Sequence, residues 1–352
     1  MPSWMTFWRK YTKLFIESVD IDFHPAYSFR QDNFLLSSVQ SQHFMNRRNF
    51  TKSLAALPAI SLIEPDHRAF VEPARNLNSK IKLSVSSYSY WHFKGDKYPI
   101  EKVIDQAARL GLDGIDVLHR QMDGEDATYI NKLKKQAFVN GIAMTCLSIH
   151  QGFVFPDKDE LKKNIDHTIH CLELAAKMGI PCMRLNTGRW NTIKSFDDFM
   201  KARGQEPAIE GYTSEDAFKW CIESTQICTK RAEELGVLLA LENHWGLGST
   251  PEGMLRIMKA INSPWLQLLM DTGNFLENPY SKLETIAPYT CFVQAKTYYG
   301  GGVWYSLELD YKRIIDLLKK VNYQGYISIE FEGNENADSG VKKSVELIRQ
   351  YL

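Results

Sequence analysis

Eight times between Lys80 and Leu352 the chain passes from a short apolar run to a segment with helical spacing, and that alternation limits its fold more than anything else. Ile81–Tyr88 alternates at period two, and helical spacing follows over Ile100–Leu110. The unit recurs as Gly114–Leu118 with Ala127–Asn140, Ile142–Ile149 with Glu160–Met178, and Pro181–Asn186 with Ser214–Leu235. Four more follow: Val237–Glu242 with Pro251–Ile261, Leu266–Asp271 with Leu283–Pro288, Phe292–Lys296 with Tyr311–Lys320, and Tyr326–Phe331 with Val341–Tyr351. Gly111, Gly141, Gly179, Gly236 and Gly325 each stand just ahead of a strand, where a left-handed cap turns the chain back toward the sheet. Eight such units, with no glycine-rich phosphate loop after the first strand, predict an α/β protein closed into a (β/α)8 TIM barrel rather than an open doubly wound sheet. The connection from Thr187 to Thr213 is too long for a simple turn and carries Arg189, Trp190, Phe196, Phe199 and Tyr212. It reads as a lid or a subunit contact at the active face, which leaves a homo-oligomer open.

Residues 1–79 read as a leader, signal and linker, and residues 80–352 as a single barrel domain. Arg47 and Arg48, then Phe50 and a modest apolar run to Ile63, resemble a twin-arginine export signal, with Met45 just ahead. On that reading residues 1–44 are an over-extended start or a disordered leader, and the mature protein is periplasmic. The plainer reading, in which the two arginines cap an amphipathic helix, leaves it cytoplasmic. No stretch approaches the roughly 20 apolar residues of a membrane span, so a soluble protein is expected. Lys plus Arg and Asp plus Glu both total 42, giving a net charge of zero and no global basic field for nucleic acid. Six cysteines without a C-x-x-C pair predict buried free thiols.

Four strands end in side chains able to bind a metal: Leu-Glu-Asn-His at 241–244, Met-Asp-Thr-Gly-Asn at 270–274, Val-Gln-Ala-Lys at 293–296 and Ile-Glu-Phe-Glu at 329–332. Residues two apart in a strand share a face, which groups Glu242 with His244, Gln294 with Lys296, and Glu330 with Ser328 and Glu332. Earlier strands pair Ser148 with His150 and Arg184 with Asn186. Catalytic groups of such barrels sit at these strand ends, and three buried carboxyls brought together there call for a cation or for protons. Hard oxygen ligands suit a divalent ion such as Mn²⁺, Mg²⁺ or Co²⁺.

In this order the four stretches resemble the xylose isomerase-like barrels, in particular the sugar phosphate isomerase/epimerase branch, over about Lys80 to Leu352. The resemblance implies one divalent metal, manganese above all, held by Glu242, Asp271, position 294 and Glu330, with the two glutamates also moving protons. The family carries His at position 294 and this chain carries Gln, a neutral and weaker ligand. The implied activity is a sugar or sugar-phosphate isomerase or epimerase acting through a metal-stabilised enediolate. Lys296 would polarise the carbonyl, while His150, Arg184, His244 and Trp190 would contact the substrate, with Trp245 and Trp304 as further stacking surfaces. Each also has a plainer reading: Lys296 as a bridge to Asp271 or Glu330, Arg184 as an ion-pair organiser, and the tryptophans as packing. An inosose-type dehydratase and a non-catalytic carbohydrate-binding barrel compete with the isomerase. An apurinic endonuclease is disfavoured, because its zinc cluster needs more strand-end histidines than this chain supplies.

Overall fold

The computed structural model describes residues 81–352. The leader, the export-signal reading at Arg47 and Arg48, and the boundary at residue 80 therefore lie outside the described residues. Eight parallel strands close into a barrel in chain order: β1 (Lys82–Ser86), β2 (Gly114–Leu118), β3 (Ala143–Ser148), β4 (Cys182–Leu185), β5 (Leu238–Glu242), β6 (Leu266–Asp271), β7 (Thr290–Thr297) and β8 (Tyr326–Phe331). Closure comes from β1 pairing with β8, with Leu83 opposite Ile327 and Val85 opposite Ile329. Helices cover the outer face, so the strands are buried on both sides and read as nearly unbroken apolar runs.

The outer layer comprises α1 (Ile100–Arg109), α2 (Ala127–Val139), α3 (Lys158–Met178), α5 (Ser214–Leu235), α6 (Pro251–Ile261), α7 (Pro279–Ile286), α8 (Tyr311–Lys320) and α9 (Ala337–Arg349). Several starts are set locally. The Asp126 carboxylate accepts from the Thr128 and Tyr129 amides, Thr213 and Asp216 form a reciprocal capping box, and Pro251 follows the Thr250 cap of α6. Gly179 and Gly236 end α3 and α5 at φ of 75° and 68°, as the sequence predicts. Gly325 does not: its φ is not positive, and the left-handed turn falls on Asn322 at φ 57°. Glycine is needed at 325 because a Cβ there would lie 2.9 Å from the Cys291 carbonyl oxygen and 2.4 Å from the Tyr323 hydroxyl. The long connection after β4 contains a short helix, α4 (Phe196–Lys201), which the sequence reading did not resolve.

Along the barrel axis the inner wall changes character. At the strand starts it is apolar, with Cys146, Cys182, Ala240, Leu269 and Phe292 packed together. One step further along the same strands stand Ser148, Arg184, Glu242, Asp271 and Gln294, two residues on in each case, which keeps them on the same face. Five of the six cysteines are buried, Cys291 is half-buried, and all six are free thiols.

Candidate active site

Seven charged residues are buried among those described: Asp116, Arg184, Glu242, Asp271, Lys296, Glu330 and Glu332. All stand at the carboxyl-terminal end of the barrel, in one connected group. Five carboxyls thus face two cations, and burial of that excess is costly unless protons or a further cation offset it.

Short-range backbone chemistry holds the group in place. The Asn243 side chain extends the β5–β6 ladder, donating to the Asp271 carbonyl at 2.9 Å and accepting the Asp271 amide at 2.7 Å. Asp271 in turn accepts the Gly273 amide at 2.8 Å. At Gly273 a Cβ would meet the Tyr298 hydroxyl at 2.2 Å and the Lys296 Cβ at 2.9 Å, which explains the glycine of the Met-Asp-Thr-Gly-Asn stretch. Asn274, the last residue of that stretch, donates to Glu242 Oε1 at 3.2 Å and accepts from the Tyr305 hydroxyl at 3.0 Å.

Lys296 Nζ lies among three carboxylates, 3.2 Å from Glu332, 3.6 Å from Asp271 and 3.8 Å from Glu330. The bridging foreseen for Lys296 is therefore present, and it extends to Glu332, which Tyr88 also contacts through its hydroxyl at 3.1 Å. Burial pulls the Lys296 pKa down, but Asp271 and Glu332 outweigh it and hold the ammonium well above the ordinary lysine range. Arg184 Nε approaches Glu242 Oε2 at 3.5 Å. Burial nevertheless dominates at Glu242 and pushes its carboxyl up to about 7 against the pull of Arg184. Burial likewise raises Asp271 well above the usual carboxylate range, despite Lys296. His150 and His244 are driven far below the ordinary histidine value, first by burial and then by the Arg184 charge, and stay neutral.

Glu242, Glu330, Lys296, His150, Arg184 and His244 all line one cavity of about 600 Å³. Asp271 and Gln294 are buried completely and do not line it. Trp190 is not part of this cavity. It lines a smaller one of about 190 Å³ beside Glu206 and packs edge-on against Trp220, although its neighbours Arg189 and Asn191 line the main cavity. Trp245 and Trp304 do reach the main cavity, and Phe196 of α4 stands edge-on to Trp304 at 4.7 Å.

One oxygen on each of Glu242 (Oε2), Asp271 (Oδ2), Gln294 (Oε1) and Glu330 (Oε2) is buried without a hydrogen-bond partner. A buried acceptor without a hydrogen bond is costly, and oxygens of this kind are those a hard divalent cation takes. Three of the four face a cation instead, Asp271 Oδ2 and Glu330 Oε2 beside Lys296 at 3.6 and 3.8 Å and Glu242 Oε2 beside Arg184 at 3.5 Å. Among the described residues, the His, Cys, Asp or Glu group whose ligand atoms all fall within 4.8 Å of one another is instead His119, His167 and Cys171.

Sequence reasoning missed Asp116. Its carboxylate accepts from Ser148 Oγ and from Gln294 Nε2, both at 2.8 Å, and burial lifts it to about 6. The available signal was a single charge inside the otherwise apolar Gly114–Leu118. Gln294 thus turns its amide nitrogen to Asp116 and leaves its oxygen unpartnered.

A closed (β/α)8 barrel with an acidic, partly neutralised mouth is the class this geometry defines. The family model described as xylose isomerase-like TIM barrel matches residues 104–351, and the chain belongs to that family. An uncharacterized protein of Methanocaldococcus jannaschii, MJ1311, is 33% identical over 138 residues, which cover 34% of this chain and 44% of that protein. The chain thus spans less than half of the curated relative it matches. Among solved structures, D-psicose 3-epimerase from Clostridium cellulolyticum H10 with D-tagatose aligns with a TM-score of 0.59 at 17% identity, covering 77% of this chain and 99% of that one. The 3-keto-D-glucoside 4-epimerase YcjR from E. coli aligns at 0.61 and 15% identity, covering 77% and 100%. D-allulose 3-epimerase from Methylomonas sp. with D-allulose aligns at 0.61 and 16% identity, covering 78% and 98%. At these identities the likeness is one of fold. No helix among the described residues is long and apolar enough to cross a membrane.

Proposed function

We propose that the chain is a divalent-metal-dependent isomerase or epimerase of a small carbohydrate, moving a proton on the carbon beside a carbonyl. The observation that carries this reading is the run of Glu242, Asp271, Gln294 and Glu330 on strands β5 to β8, each with one buried oxygen that accepts no hydrogen bond, beside a cavity sized for a sugar. Those residues would hold the ion, with manganese proposed ahead of magnesium or cobalt. When bound, such an ion polarises the carbonyl and acidifies the adjacent C–H.

The side chains divide the remaining work. Without an ion, burial raises the Glu242 carboxyl to about 7; beside a bound cation it would stand as the carboxylate and serve as the base. Asn274 and Arg184 aim its two oxygens. Glu330 stands two strands beyond the β6 neighbour of Glu242, so the two carboxyls flank the cavity. Lys296 remains an ammonium and so donates to developing negative charge on a substrate oxygen rather than acting as a base. Neutral His150 and His244 serve as hydroxyl partners, and Trp245 and Trp304 offer apolar faces for a sugar ring. Return of the proton to the opposite face gives an epimer, return to the neighbouring carbon an isomer, and loss of hydroxide a dehydration product.

The test is hydrogen exchange in heavy water. The manganese-supplemented full chain is incubated with free and phosphorylated ketoses, keto-glycosides and inososes, and deuterium is followed by NMR. Deuterium is expected beside the carbonyl of one of these classes and should fall by about 10²–10⁴-fold in Glu242→Gln, the usual contribution of a positioned base. Unchanged exchange in the variant removes Glu242 as the base. No exchange with any class favours a carbohydrate-binding barrel without catalysis.

A further inference from the structure

A second group of ligands lies away from the cavity, between the turn after β2 and helix α3. His119 opens that turn (His119–Gln121), while His167 and Cys171 stand one helical turn apart on α3. Cys171 Sγ is 3.8 Å from His119 Nδ1 and 3.7 Å from His167 Nε2. All three ligand atoms lie within 4.8 Å of one another. A tetrahedral ion with bonds of about 2.3 Å to sulfur and about 2.05 Å to nitrogen sets its sulfur and nitrogen ligands about 3.6 Å apart, close to the spacing seen.

The surrounding groups are those of a metal site rather than of a packed thiol. A single S–H proton can serve one of the two imidazoles but not both. Glu125 accepts from His119 Nε2 at 2.8 Å, which keeps the proton on that nitrogen and turns the lone pair of Nδ1 toward the sulfur. Its other oxygen holds His170 Nε2 at 2.5 Å. A carboxylate behind a ligating histidine is the usual device for fixing tautomer and ring orientation at a metal.

We propose that His119, His167 and Cys171 bind one zinc-class transition metal ion, with Glu125 orienting His119 and solvent completing the coordination. Two imidazoles and a thiolate select a borderline-soft ion, in contrast with the all-oxygen set at the barrel mouth. Cys171 binds as the thiolate and gives its proton to solvent. The ion ties the β2 turn to α3, and this turn also carries Arg120 into the cavity wall, so the site braces the mouth without touching the reacting atoms.

Cobalt substitution tests this apart from the sugar chemistry, because only a thiolate ligand gives a sulfur-to-cobalt charge-transfer band in the near ultraviolet. The full chain titrated with Co²⁺ should develop that band to one equivalent and lose it on addition of Zn²⁺. Cys171→Ser should abolish it, Glu125→Gln should weaken binding about 10–100-fold, and Glu242→Gln should leave it unchanged. His167→Gln, at a half-buried position that tolerates change, should also abolish the band and carries the test if Cys171→Ser does not fold. Absence of the band in the parent chain, or its survival in His167→Gln, overturns the proposal.

Discussion

Lys296→Met removes the one cation that stands among Asp271, Glu330 and Glu332. At an effective dielectric of about 20, each of the three contacts at 3.2–3.8 Å is worth about 4–5 kcal/mol before desolvation of the ions, which opposes it by several kcal/mol each. What remains when one partner of a buried ionic group is deleted is commonly about 3–5 kcal/mol, because the carboxylates left behind are buried and unpaired. For a domain of this size about 1 kcal/mol corresponds to roughly 2 °C, so the metal-free variant should melt about 6–10 °C below the parent. Calorimetry or circular dichroism on chelator-treated protein measures this. Manganese should then raise the melting temperature more in the variant than in the parent, since the added ion replaces the missing charge. A melting temperature within about 2 °C of the parent, or equal stabilisation of both proteins by manganese, would refute the view that Lys296 offsets the acidic cluster.

Gly273→Ala forces the Lys296 stem and Tyr298 aside and should cost about 1–3 kcal/mol in denaturant unfolding; a neutral effect would mean that the Asp271–Asn274 turn yields easily. His150 is held neutral in the fold with its pKa well below the unfolded value, so the unfolded state binds the proton first as pH falls and stability drops below about 6.5. Between about pH 7.5 and 5.5 that loss should be about 1.4 kcal/mol larger in the parent than in His150→Gln, and parallel pH profiles would contradict it. If the arginine pair directs export, replacing Arg47 and Arg48 with Lys should retain the protein inside the cell, and unchanged fractionation would discard the signal reading.

Much of the barrel is visible in one dimension because its rules are local. Period-two and helical spacing place every strand and outer helix, with α5, α6, β6, α8 and β8 bounded as observed. The exceptions have local causes of their own. Helix α7 starts at Pro279, four residues before its apolar stripe becomes visible, and α4 has only six residues, too few to display a period. Gly325 looks like its fellow caps in sequence, yet what requires it is a strand edge and a tyrosine ring, contacts that no neighbouring residue announces.

The sequence by itself determined that carboxyls and an amide end strands β5 to β8, because side-chain direction alternates along a strand and a parallel barrel gathers its carboxyl ends. Only the tertiary structure decided how those charges meet. Asp116 enters from β2, Lys296 settles among three carboxylates, and Trp190 packs on Trp220 while its neighbours Arg189 and Asn191 face the main cavity. The assembly of His119 with His167 and Cys171 is likewise invisible along the chain, since it joins a turn to a helix about fifty residues away. Local periodicity fixes where a side chain points, whereas ion pairing and ligand geometry depend on distances between segments that only closure of the barrel brings within reach.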